Sequence, residues 1–151
     1  MGDLALNLTD DGIDLLLKDD SSTLVRDEGL QTAVLISLFT DQRVSEAEVP
    51  SGLSSQSGWW GDEFSEIIGD QIGSKIWTFS RGMATTQTAA AIQVRAKQSL
   101  DWMIEDGVAS QVEVTTSASK GCINISVKIL RPNGDVDRFS VFWDGQEAKL
   151  I

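Results

Sequence analysis

Residues 111–143 read QVEVTTSASKGCINISVKILRPNGDVDRFSVFW, and their apolar positions fall two apart. Val112 and Val114 are followed by Ile123, Ile125, Val127 and Ile129, and then by Phe139, Val141 and Trp143. A period of two sends alternate side chains to opposite faces of a strand, so the stretch predicts three antiparallel strands sharing one apolar face. Ser119-Lys120-Gly121 and Pro132-Asn133-Gly134-Asp135 supply the turns. Asn-Gly suits such a turn because tight hairpin connections need positive φ. Cys122 falls within the alternation and is expected to be a buried thiol, and Asp144-Gly145 releases a tail ending Lys149-Leu150-Ile151.

Immediately upstream the period becomes helical. Over 86–106, Ala89, Ile92, Ala96, Leu100 and Met103 recur at spacings of three and four, while Gln98, Asp101 and Glu105 lie on other faces. Asp106-Gly107 ends this helix. Glu105 sits where the helix dipole disfavours a negative charge and calls for a compensating partner. Further upstream, residues 30–39 (LQTAVLISLF) are apolar on nearly every face, which predicts a buried helix whose amides Asp27 and Glu28 can cap. Leu4, Leu6 and Leu8, a turn at Asp10-Asp11-Gly12, then Ile13, Leu15 and Leu17 predict an N-terminal hairpin.

Between the helices, residues 44–62 carry Pro50, Gly52, Gly58, Gly61 and many serines and read as a long ordered loop. Trp59-Trp60 argues for order, since two large aromatics pack into a core or an interface rather than remain solvated. Asp62 is expected to cap a short helix running through Phe64, Ile67 and Ile68 to Gly69. Residues 75–79 (KIWTF) fit strand or helix equally. The expected fold class is α+β in one domain, 1–151, with an N-terminal hairpin, a buried helix, and a long helix packed on a C-terminal antiparallel meander of three strands.

Composition narrows function chiefly by exclusion. The 151 residues hold 12 basic and 23 acidic side chains, a net charge of −11, which repels phosphate backbones and anionic membranes. Neither direct nucleic-acid binding nor membrane attachment is expected, and no stretch reaches the about eighteen apolar residues of a span. Met1-Gly2-Asp3-Leu4 has neither the basic nor the apolar region of a secretion signal, so assembly in a cytoplasm is expected. The absence of histidine removes the usual general base and the commonest zinc ligand. Asp10, Asp11 and Asp14 lack the spacing and closing glutamate of a calcium loop, and Gly69 and Gly73 lack the lysine and hydroxyl of a phosphate loop. No cofactor is expected. Carboxylate chemistry stays open at Glu63 and Glu66, although carboxylates three apart on one helix do not straddle a sugar ring as acid and nucleophile must.

Five segments carry a resemblance along the whole chain: Gly29-Leu30-Gln31-Thr32-Ala33-Val34; Ser37-Leu38-Phe39-Thr40-Asp41-Gln42-Arg43; Gly58-Trp59-Trp60-Gly61-Asp62; Gly73-Ser74-Lys75-Ile76-Trp77; and Leu100-Asp101-Trp102-Met103-Ile104-Glu105-Asp106-Gly107-Val108-Ala109. In these the chain resembles the phage Mu-type baseplate wedge family, related to the lysozyme-like sheath initiators of contractile tails and type VI secretion systems. Two adjacent tryptophans between glycines are the most specific match. Where initiators commonly carry Glu-Pro-Arg, this chain reads Glu105-Asp106-Gly107 and keeps only the glutamate.

The resemblance implies a non-enzymatic part of a virion tail baseplate, assembled in the host cytoplasm, that joins the inner baseplate to the first sheath ring. Strand addition to its sheet would seed sheath polymerisation. A tail tube or completion adaptor, and a carboxylate glycosidase, are the alternatives. The implied partners are other baseplate wedge and hub proteins and the tail sheath protein, with six copies around the tail axis and a monomer when isolated. Residues expected at partner interfaces are Asp41, Arg43, Trp59, Trp60, Asp62, Glu105, Phe139, Val141 and Trp143.

Overall fold

The computed structural model describes residues 3–9, 12–18, 23–27, 29–144 and 148–150. In chain order these form strands β1 (Asp3–Leu4), β2 (Leu6–Thr9), β3 (Gly12–Leu15) and β4 (Arg26–Asp27), helices α1 (Gln31–Phe39), α2 (Thr86–Leu100) and α3 (Trp102–Glu105), and strands β5 (Gln111–Ser119), β6 (Cys122–Leu130), β7 (Val136–Trp143) and β8 (Ala148–Leu150). Between α1 and α2 the chain is irregular, broken only by 3-10 turns at Glu46–Glu48, Trp60–Phe64 and Ile76–Phe79.

Strands β5-β6-β7-β8 lie side by side in that order, antiparallel throughout. The register sets Val112 beside Ile129, Val114 beside Val127, Ile125 beside Val141 and Ile123 beside Trp143, so each apolar residue meets another on the same face. Against that face α2 places Ala89, Ile92, Ala96 and Leu100, and α3 adds Met103, all buried. Burying one such aliphatic side chain stabilises the fold by about 1.5–3 kcal/mol. Alanine at 89 and 96 lets the helix come close to β5, where Thr116 Oγ1 donates to the Ala89 carbonyl at 2.7 Å. The opposite face is polar, with Ser126 and Ser140 hydroxyls 3.0 Å apart and Lys128 donating to Glu113 at 3.1 Å. Thr85 caps α2 by accepting from the Thr88 amide at 3.1 Å.

The expected arrangement of hairpin, buried helix and three-stranded meander is corrected in several respects. The antiparallel pairing of the expected hairpin is limited to Leu6–Thr9 against Gly12–Leu15; Asp3–Leu4 is not part of it and pairs with Arg26–Asp27. The chain changes partner at Ala5, whose N–H donates to the Val25 carbonyl at 2.8 Å while its carbonyl accepts from Leu16 at 2.9 Å. Alternation in Leu4, Leu6 and Leu8 shows an extended chain but not which strand it meets. Asp27 lies in β4, and α1 opens after its N-cap Leu30 with no side-chain cap. Glu28, and Asp10 and Asp11 of the expected turn and calcium cluster, lie outside the described residues.

Helix α1 is not buried all round: Val34, Leu35 and Leu38 are, while Gln31, Ala33, Ile36 and Phe39 keep partial exposure. The sheet has four strands rather than three, because the supposed tail pairs as β8, with Leu150 opposite Val141 and Ala148 opposite Trp143. Three residues are too few to display a period. The short helix expected from Asp62 to Gly69 is only the 3-10 turn Trp60–Phe64, followed by irregular chain with Ile67 and Ile68 exposed. With no apolar face to bury, so short a helix has nothing to hold it. The ambiguous stretch 75–79 is likewise a 3-10 turn, anchored by buried Ile76. Cys122 is half-buried rather than buried.

Candidate functional site

Three of the loop segments singled out in the sequence converge beside α1. Residue 74 is the junction: the Ser74 hydroxyl donates to the Leu38 carbonyl and accepts from the Ile76 amide at 3.2 Å. Its backbone pairs in parallel with Asp41, the Ser74 N–H reaching Thr40 at 2.9 Å and the Ser74 carbonyl accepting from Gln42 at 3.0 Å. Gly73 must be glycine here, because its φ is +96° and a Cβ would stand 2.1 Å from the Thr40 carbonyl oxygen. The indole N–H of Trp77 donates to the Gln42 carbonyl at 2.9 Å and closes the junction.

The loop after Arg43 is tied down at Glu48. Both its carboxylate oxygens accept from Lys75 Nζ, at 2.8 and 3.0 Å, and Ser45 adds its amide at 3.2 Å and its hydroxyl at 3.0 Å. Arg95 of α2 stands 3.8 Å away. The Lys75 hydrogen bond, with those from Ser45, holds the Glu48 carboxyl at about 2, well below its ordinary 4.5. Asp41 behaves oppositely: loss of solvation raises its carboxyl above the usual range, partly offset by a hydrogen bond from Ser57 Oγ at 3.3 Å.

From this base the loop displays aromatic surface. Trp59 and Trp60 ring centroids are 5.5 Å apart, and Phe64 meets Trp60 edge-on at 6.0 Å. Trp60 is 72% exposed and Phe64 76%, values far from those of core aromatics. Gly61 makes room for the Trp59 ring, since a Cβ there would lie 2.1 Å from it.

A cleft of about 1030 Å³ opens between α1, this loop and the corner where α2 passes into α3. Ile36, Trp59, Phe64, Ile72 and Trp102 give it apolar walls. Trp102 is held by its indole N–H, which donates to Ser37 Oγ at 3.1 Å. Its charged lining consists of Asp62, Asp70, Asp101, Glu105 and Asp106 against Lys75 and Arg95. Among the described residues, groups of three or more metal-ligating side chains are absent.

The expected interface residues divide sharply. Asp41, Arg43, Trp59, Trp60 and Asp62 belong to the junction and loop, and of the expected residues Trp59, Asp62 and Glu105 line the cleft. Arg43 lies 3.9 Å from Glu63, and both are well exposed. Asp62 sits within the 3-10 turn instead of capping a helix; its Oδ1 accepts from the Ile72 amide at 3.1 Å, while its Oδ2 is closed off from solvent with no hydrogen-bond partner. Glu105 has no ion-pair partner among the described residues. Val141 and Trp143, by contrast, are buried in the core, and Phe139 packs against it. Glu63 and Glu66 are both exposed on the loop, on no common helix.

Sequence reading did not place Ser74, Trp102, Asp101 or Asp106 among the interface residues, although each lies in a segment that carries the resemblance, and it did not name Asp70. The like charges Asp101 and Glu105, four apart on a helix, were the available signal for the acidic wall.

Comparison with known proteins places this geometry. A family described as phage protein GP46 matches residues 30–136, which include the junction, the aromatic loop, the cleft and most of the sheet. The chain is 35% identical over 146 residues to the Mu-like prophage FluMu protein gp46 of Haemophilus influenzae, covering 95% of this chain and 98% of that protein. It is 32% identical over 138 residues to the baseplate protein gp46 of Escherichia phage Mu, covering 90% and 92% respectively. With the family match spanning more than half of its length and both relatives aligned nearly end to end, the chain belongs to the phage protein GP46 family.

Proposed function

We propose that this chain is a structural component of a contractile-tail baseplate, linking the inner baseplate to the first sheath ring and seeding the sheath by accepting an added strand. Its phage Mu relative, named a baseplate protein, supports the setting. The observation that carries the mechanism is the outer edge of β5, nine residues long, with which no strand of the described chain pairs.

The two-residue turn Lys120-Gly121 has positive φ at both positions, 50° and 82°, and closes on Ser119 opposite Cys122. Such a turn begins on a hydrogen-bonded pair. By alternation Val112, Val114, Thr116 and Ala118 turn their N–H and C=O groups away from β6, toward the open edge. An incoming segment would gain main-chain hydrogen bonds there, with register set by which residues face the core. The opposite edge is less available, because β8 covers β7 from Val141 to Trp143.

Amide hydrogen exchange tests the mechanism. Exchange at Val112, Val114, Thr116 and Ala118 is expected to slow at least tenfold between the isolated chain and sheathed particles. Equal exchange in both, with the chain present in the particle, would rule out strand addition at this edge.

A further inference from the structure

We propose that the cleft between α1, the aromatic loop and the α2–α3 corner receives an arginine-bearing segment of a neighbouring baseplate polypeptide; this rests on the baseplate reading but not on strand addition. Charge is the first argument. Of the seven charged side chains lining the cleft, five are acidic, and both cations, Lys75 and Arg95, already face Glu48, at 2.8 and 3.8 Å. None of Asp62, Asp70, Asp101, Glu105 and Asp106 forms an ion pair among the described residues.

The placement of these acids is also unfavourable for the isolated chain. Asp101 and Glu105 are four apart on one helical run, where like charges repel. The Glu105 N–H bonds to the Asp101 carbonyl and the Asp106 N–H to that of Trp102, so Glu105 and Asp106 occupy the negative end of the helix dipole. Asp62 Oδ2 is shut away from water with no donor among the described residues. A cation supplied from outside relieves the like-charge repulsion and the dipole penalty together.

The walls select the type of cation. Trp59 and Trp102 offer flat aromatic surface, on which a planar guanidinium stacks while its N–H fork reaches a carboxylate; an ammonium is a point charge that does neither as well. The cleft is far larger than one side chain, so a polypeptide segment fits it better than a free cation.

The test is carried out on intact particles. A benzophenone photo-crosslinker at Gln98, on the exposed rim of the cleft, is expected to attach to a segment of another baseplate polypeptide that contains arginine. The adduct should fall at least tenfold in the double variant Asp62→Asn/Glu105→Gln and persist in Glu66→Gln, which lies outside the cleft. An adduct with a second copy of this chain, with a segment lacking arginine, or no adduct from particles shown by immunoblot to contain the chain would overturn the proposal. Should the double variant fail to fold, the adduct formed by the otherwise unaltered chain still decides the matter. Absence of the chain from purified particles would instead overturn the baseplate reading, and this inference with it.

Discussion

The sheet with α2 and the segment from residue 40 to residue 75 use apolar side chains in opposite ways. In the sheet Ile123, Ile125, Val127 and Ile129 all point into the helix layer and are buried. In the segment Trp60, Phe64, Ile67 and Ile68 stand exposed, and what holds the chain is a set of hydrogen bonds centred on Ser74 and Glu48. The difference separates stability from display: one region is held because water is excluded from it, the other keeps its shape through a few polar contacts and leaves its aromatic surface exposed.

Substitutions can break or sharpen that contrast. The largest effect is expected for Ile125→Ala, which opens a cavity beneath the sheet and should cost about 2–5 kcal/mol in equilibrium urea unfolding. A loss below about 1 kcal/mol would mean that the sheet is not the stabilising region. Next comes Gly73→Ala, whose Cβ would meet the Thr40 carbonyl in a backbone conformation with positive φ. It should destabilise by about 1–3 kcal/mol and loosen exchange of the Ser74 and Gln42 amides while leaving the β6 amides protected.

Glu48 supplies a pH-dependent arm of the same comparison. Its folded-state carboxyl is depressed to about 2 from 4.5, so the stability it contributes is present above 4.5 and is lost as pH falls toward 2. The difference in melting temperature between the unaltered chain and Glu48→Gln should therefore shrink across that window; a constant difference would show that the Lys75 contact is not linked to folding. Smallest in stability is Trp60→Ala, expected to lie within about 0.5 kcal/mol of the parent chain because the ring is mostly in water. Its consequence should appear in assembly, as a reduced share of the chain recovered in particles. A loss of 2 kcal/mol on heating would place Trp60 in the core after all.

The unequal legibility of the sequence follows the same division. The strands β5 to β7 and the long helix were readable because buried faces impose periods of two and of three to four, and Val112, Ile125, Ala96 and Leu100 obey them. The segment 40–75 has no such period: the loop over 44–62 could be read as irregular, but the helix expected from Asp62 to Gly69 is only a 3-10 turn, and the contacts left no signal. Trp59, Asp62 and Glu105 were singled out before their positions were known, and all three line one cleft, while Trp60 stands exposed beside it. Phe139, Val141 and Trp143 were expected at an interface, yet alternation had already put them on the apolar face; Val141 and Trp143 are buried there and Phe139 packs against the core. The edge of β8, the Ala5 switch between strands and the Glu48-Lys75 link left no trace in sequence spacing.

By itself the sequence determined the local periods, the turns rich in glycine and asparagine, and an acidic chain without histidine. Tertiary structure alone decided which strands pair, which tryptophans stay in water and which carboxylates stand without a cation. Periodicity is a local property, carried by each segment's own residues, whereas pairing and burial depend on which distant segments the closing of the core brings within a few ångströms of one another.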